Sequence, residues 1–134
     1  MVSRGVRNNN PGNIRKGVSR FRGEIFPSQD LEFKQFESAA WGYRAIFLLV
    51  KNYDTLYGIN TLDGIIRRWA PPCENNTRRY IDVVAQRLNV KSSAYIDWSD
   101  REVMIPLAWS ISKVENGVTP TLSEIEQGWE LFSE

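Results

Sequence analysis

The segment from Ser38 to Gly58 constrains the fold more than any other. It holds the longest apolar run of the chain, Ala45-Ile46-Phe47-Leu48-Leu49-Val50. A serine able to cap a helix start stands before this run, and a glycine able to close a helix in left-handed conformation stands after it. The run is far shorter than the roughly 20 apolar residues that a membrane-spanning helix needs. It therefore predicts a helix at the centre of a globular core, with Trp41, Ala45, Leu48 and Leu49 on its inward stripe and no membrane insertion. A chain of 134 residues has room for one such core, so residues 1–134 read as a single domain. With 42% hydrophobic and 25% charged residues, the composition is that of a folding chain and not of a disordered one.

Other elements are punctuated around this helix. The cluster Asn8-Asn9-Asn10-Pro11-Gly12-Asn13 is dense in turn formers whose amides can bond nearby backbone, which predicts an ordered loop. Phe21 to Phe26 and Leu31 to Phe36 are aromatic-rich runs around Pro27-Ser28-Gln29-Asp30, the pattern of a β-hairpin. Thr61 opens a short helix to about Trp69, ended by Pro71-Pro72, and Asn76 or Thr77 caps another to about Leu88. Ser99 with Glu102, and Thr121 with Glu124, fit capping boxes for two further helices. Gly117 ends the first of these, and Pro106 within it suggests a kink or a later start. The expectation is a mostly α (α+β) chain of about five helices with one small hairpin, an architecture found in lysozyme-like domains among others.

Several chemistries are excluded. The chain has no histidine and one cysteine, Cys73, so an internal disulfide, histidine-bearing zinc sites and Ser-His-Asp or Cys-His catalysis are ruled out. No metal and no cofactor is expected, and Cys73 reads as an inert thiol. The net charge of +1 gives no global pull toward nucleic acid or anionic lipid. The charge is nevertheless segregated: Arg4, Arg7, Arg15, Lys16, Arg20 and Arg22 crowd residues 1–23 without an acid, while 114–134 carry only acids. The start of the chain is basic but lacks an apolar signal core, so no Sec-type signal peptide is expected and synthesis is expected to leave the protein cytoplasmic.

Three constellations could carry chemistry. Met104, Leu107, Ala108 and Ile111 form an apolar stripe whose next position is Glu115. A carboxylate closing a core-facing row is either desolvated, which raises its pKa, or turned out to solvent at the helix end. In the first case it is a protonated acid of the kind that glycosidic cleavage requires. The hairpin brings Glu24, Asp30 and Glu32, any of which could be the second carboxyl group of a glycosidase, or simply charge on an exposed edge. The loop from Trp69 through Asn75 and Asn76 to Tyr80 offers amides and aromatics suited to sugars, and equally an ordinary interhelical connection.

Asn8-Asn9-Asn10-Pro11-Gly12-Asn13-Ile14-Arg15, Phe33-Lys34-Gln35-Phe36, Gly42-Tyr43-Arg44-Ala45, Trp69-Ala70-Pro71-Pro72, Glu74-Asn75-Asn76-Thr77 and Glu115-Asn116-Gly117 follow in order. Together they resemble the phage-associated family called structural protein P5, over about residues 7–130. The segment Asn9 to Arg15, the run Phe33 to Phe36 and the segment Asn76 to Tyr80 are also similar to parts of autolysin and flagellar N-acetylglucosaminidases. In those enzymes a helix ending in a catalytic Glu precedes these parts. Here the similar helix, Leu107 to Gly117, lies at the other end, as in a circular permutation. That resemblance implies Glu115 as general acid, with Glu24 or Asp30, or else Glu32, as the hairpin carboxylate. It also implies Tyr80 as the cleft tyrosine. Asn10, Asn13, Asn75, Asn76 and Trp69 complete the expected substrate contacts.

The resulting expectation is an enzyme that cleaves the peptidoglycan glycan strand, as hydrolase or lytic transglycosylase, acting on the bacterial cell wall and associated with phage. The alternatives are a non-catalytic cell-wall or virion module with virion proteins as partners, and a helix-turn-helix nucleic-acid binder using Arg67, Arg68, Arg78, Arg79 and Arg87. The nucleic-acid reading is disfavoured because the connection from Ala70 to Asn75, with two prolines, is longer and stiffer than a helix-turn-helix turn.

Overall fold

The computed structural model describes residues 2–72 and 76–134. Among them the chain forms six α-helices and one two-stranded antiparallel sheet, so the fold is mostly helical with a minor β element. In chain order these are α1 (Arg4–Arg7), β1 (Glu24–Ile25), β2 (Gln35–Phe36), α2 (Ala39–Tyr57), α3 (Leu62–Trp69), α4 (Thr77–Leu88), α5 (Arg101–Asn116) and α6 (Leu122–Ser133). No described helix is long and apolar enough to cross a membrane.

The central helix forms as the sequence predicts, closed by Gly58 at φ 68°. Its buried face differs from the expected one. Tyr43, Ile46, Phe47 and Val50 are in the core with Ala45, whereas Trp41, Leu48 and Leu49 are only half-buried. The reason is that α2 is covered on more than one side. On one side α6 packs so closely that a Cβ on Gly128 would collide with Tyr43 and the Ala40 carbonyl. On that seam Phe47 meets Trp129 edge-on at 5.1 Å. On another side the N-terminal loop lies on Gly42, where any side chain would strike the Asn9 carbonyl and Pro11.

The hairpin is shorter than expected, with only Glu24 paired to Phe36 and Ile25 to Gln35. The second run uses its remaining backbone groups elsewhere. Phe36 N–H donates to the Asn8 carbonyl, Lys34 N–H to Ile14, and Lys16 N–H to Glu32. The Asn-rich loop thus takes the place of a longer first strand. Its shape is held from inside by Asn10, fully buried, whose amide donates to the Ile14 and Lys34 carbonyls and accepts from Ile14 N–H. The short helix α1, which the pattern did not foreshadow, precedes this loop, with Ser3 as its cap.

Two helix starts also differ in detail. Asp100, not Ser99, caps α5 by accepting from Glu102 N–H at 2.9 Å, while Ser99 turns to Asp97. Thr121 precedes α6 without a side-chain capping bond. Helix α5 begins at Arg101 and runs through Pro106, so a later start is not needed. The carbonyl that Pro106 leaves without a helical donor is that of Glu102, on the exposed first turn where water can serve it.

Candidate functional site

Helix α5 carries the apolar stripe expected of it, with Met104, Leu107, Ala108 and Ile111 all at or below 1% exposure. Following that stripe into the last turn places Glu115 half-buried beneath the N-terminal loop. Its Oε1 accepts from Asn13 Nδ2 and its Oε2 from the Tyr80 hydroxyl, each at 3.0 Å. Burial raises the Glu115 pKa; the bonds from Asn13 and Tyr80 and the charge of Arg15 oppose that shift without cancelling it. The carboxyl is therefore held closer to neutrality than an ordinary glutamate.

Each partner of Glu115 is itself fixed by its element. Asn13 sits at φ 49°, a left-handed conformation that asparagine tolerates and that turns its amide inward from the loop. Tyr80 lies one turn into α4, whose start is fastened by Asn76 accepting from Arg79 N–H and by the Thr77 hydroxyl donating to the Ala70 carbonyl. Tyr80 is 6% exposed, and burial together with the neighbouring carboxylate pushes its phenol well above the usual range. It thus holds Glu115 in place, at the position where the resemblance implies a tyrosine lining the sugar cleft.

Asn13 lines a cleft of about 240 Å³ together with Gly12, Ile14, Arg15, Leu49, Tyr53, Arg68, Trp69 and Pro71. Tyr80 lines a second groove with Asn76, Arg79, Val83, Arg87 and Val114. One partner of Glu115 therefore belongs to each depression. Trp69 is fixed by donating from Nε1 to the Gly12 carbonyl at 3.1 Å and by an edge contact with Tyr53. Burial pushes the Tyr53 phenol up to about 12.

Of the residues expected from sequence, the structure brings together Glu115, Asn13 and Tyr80, with Trp69 and Asn76 lining the two depressions. Asn10 lies in the loop fully buried, its amide bonded to the Ile14 and Lys34 backbone. Asn75, with Cys73 and Glu74, lies outside the described residues. Glu24 is paired with Lys34 at 3.1 Å, with side chains 5% and 3% exposed. Asp30 accepts from Arg4, Asn8 and the backbone of Glu32 and Phe33. Both are bound into the hairpin and its junction with α1. Glu32 bonds Arg15 at 3.3 Å and so touches a residue of the cleft. Tyr53 and Arg68 were not foreseen there; the one available signal is that Tyr53 follows Leu49 by four residues on α2, the same helix face. Among the described residues no cluster of metal-ligating side chains occurs.

No family model matches the chain. It is 34% identical over 133 residues to Protein P5 of Pseudoalteromonas phage PM2, an alignment that covers 96% of this chain and 81% of that protein. With that identity over nearly its whole length, the chain belongs to the phage Protein P5 family.

Proposed function

We propose that this protein is a lysozyme-like enzyme that cleaves the glycan strand of peptidoglycan, with Glu115 as its general acid. The observation that carries the reading is the half-buried Glu115 carboxyl, its pKa raised, bonded to Asn13 of one depression and Tyr80 of another. Protonated Glu115 would donate to the glycosidic oxygen as the C1–O bond breaks and its electron pair passes to that oxygen. The resulting carboxylate would then take the proton from whatever attacks C1.

Glycosidases commonly pair two carboxyl groups. Because Glu24 and Asp30 are engaged in the scaffold, the reading favours assistance from the substrate's own acetamido or hydroxyl group. A sugar hydroxyl attacking C1 gives a lytic transglycosylase product with an internal ether, whereas final attack by water gives a reducing end. The likeness to a circularly permuted N-acetylglucosaminidase agrees with this assignment and rests on the sequence motifs alone. Phage membership is compatible with action on the bacterial wall from a virion.

A second reading, a wall- or virion-binding module without catalysis, is favoured by one observation: both oxygens of Glu115 accept bonds that fasten the N-terminal loop and α4 to α5. One experiment separates the two. Wild type and Glu115→Gln are incubated with purified peptidoglycan and released fragments are analysed by mass spectrometry. The enzyme reading requires fragments from wild type and a loss of about 100-fold or more in the variant. Equal release removes Glu115 from the mechanism, and no release from wild type leaves the binding module.

A further inference from the structure

Four guanidinium groups border the two depressions that hold the partners of Glu115: Arg15 and Arg68 in the first, Arg79 and Arg87 in the second. Arg15 is paired with Glu32, but among the described residues no ion pair joins Arg68, Arg79 or Arg87 to a carboxylate, and neither lining includes an acid. Elsewhere Arg4, Arg7, Arg78 and Arg101 are paired with Asp or Glu, whereas Arg20, Arg22, Arg44 and Arg67 likewise have no ion pair among the described residues, so what sets these three apart is their place in the two depressions. Two of the three are also held in place by aromatic faces. The Arg68 guanidinium lies 4.5 Å from the Tyr57 ring centroid and 5.7 Å from that of Tyr53, and Arg87 lies 5.0 Å from that of Trp109. Stacking orients a guanidinium while leaving its N–H edge available for carboxylate or phosphate oxygens.

A net charge of only +1 cannot produce general attraction to anions, so this arrangement is local. A neutral polysaccharide such as chitin gives such cations nothing to pair with. Peptidoglycan does, because its lactyl-linked peptide stems carry carboxylates at regular intervals along the strand. We propose that Arg68, Arg79 and Arg87 form a carboxylate-reading track beside Glu115 that selects acidic, stem-bearing glycan over neutral glycan. The proposal rests on the peptidoglycan reading above and names the feature of the substrate that this site recognises.

The test measures binding, so it is separate from cleavage. Purified sacculi are divided, and one half has its carboxylates converted to amides by carbodiimide coupling. Sedimentation of Glu115→Gln protein with each half then gives the affinities. The expected result is at least about tenfold tighter binding to untreated sacculi, declining with added salt. Adding Arg68→Gln, Arg79→Gln and Arg87→Gln together should abolish that preference, and the corresponding lysine substitutions should retain most of it. Arg20→Gln with Arg22→Gln, which changes charge to the same sign elsewhere, should leave it intact.

Equal binding to both preparations overturns the carboxylate track while leaving cleavage by Glu115 to its own assay. Equal loss in the Arg20/Arg22 control overturns it as well, by reducing the effect to bulk charge. Binding to neither preparation overturns the track, and, with no fragment release from wild type, the peptidoglycan reading too. Tighter, arginine-dependent binding to duplex DNA overturns it in favour of a nucleic-acid ligand.

Discussion

Asn13 and Glu115 are 102 positions apart in the chain, yet the Asn13 amide donates to the Glu115 carboxylate at 3.0 Å. The other end of the same amide, Oδ1, is buried without a partner among the described residues. In this orientation the amide suits an ionised Glu115, which only accepts. Rotation by half a turn exchanges Nδ2 for Oδ1 and presents an acceptor to a protonated Glu115, whose O–H then has somewhere to donate. On the proposed mechanism, in which Glu115 is first acid and then base, one neighbour thus serves both states.

Glu115→Gln tests this pairing through stability. The Gln Nε2–H donates to Asn13 Oδ1 once the amide turns, and the Gln oxygen keeps the Tyr80 bond. In wild type the raised pKa means that the folded state holds the proton more tightly than the unfolded chain. The stability this contributes is complete below about pH 4 and is lost as pH rises through the folded value. Glutamine stays neutral throughout. The melting temperature of Glu115→Gln should therefore match wild type near pH 4 and exceed it at pH 7, by calorimetry. A variant that falls below wild type equally at both pH values would mean that the buried carboxylate carries no penalty.

Tyr80→Phe keeps the ring that fills the base of α4 and removes one donor to the carboxylate. That bond lowers the Glu115 pKa, so its loss should raise the pKa further. A carbon-13 titration of the Glu115 carboxyl should show this upward shift independently of activity, and under the proposed function the alkaline limb of peptidoglycan cleavage should move to higher pH with it. The stability cost should be about 1 kcal/mol, that of one hydrogen bond. A shift to lower pH would show that Tyr80 favours the neutral acid.

How far the site was readable in advance depended on the range of the interactions. Helical periodicity is local, so the stripe ending at Glu115 and the closures at Gly58 and Gly117 could be read from neighbouring residues. The pairing of Asn13 with Glu115 could not, since nothing near either residue specifies the other. The buried face of α2 was misjudged for a related reason: its orientation depends on where α6 and the Asn-rich loop settle. The hairpin carboxylates looked like solvent-facing charge, but Lys34 and Arg4 come to them from positions that period-2 alternation does not describe. Asp100 won the α5 cap from Ser99 because both are good caps one residue apart, and sequence cannot rank them.

Lys34→Ala should be the most damaging change in the hairpin. It would leave Glu24, 5% exposed, without its cation, and would remove the donor to the Ser19 carbonyl. Breaking one side of a buried ion pair costs about 3–5 kcal/mol. Replacing both residues, as Lys34→Met with Glu24→Leu, should restore much of that loss because no buried charge is left alone. Urea denaturation of the single and double variants measures both, and a single variant within 1 kcal/mol of wild type, in units of about one hydrogen bond, would show that water reaches the pair.

Asp30 gives the opposite pH signature from Glu115. The backbone N–H of Glu32, then the Asn8 amide, Arg4 and the Phe33 N–H, hold its carboxyl well below the usual carboxylate range, against the effect of burial. A depressed pKa contributes stability that is present above the unfolded value, about 3.9, and is lost as pH falls toward the folded one. Asp30→Asn removes that contribution and, with its oxygen kept for the Glu32 and Phe33 N–H groups, sets an amide donor against Arg4 and Asn8. The variant should be clearly less stable than wild type at pH 7, with the gap closing between about pH 4 and pH 2. Urea midpoints for both proteins across that range provide the measurement. A gap that stays constant down to pH 2 would mean that Asp30 acts only through its shape, and that the anchoring of α1 to the hairpin owes nothing to its charge.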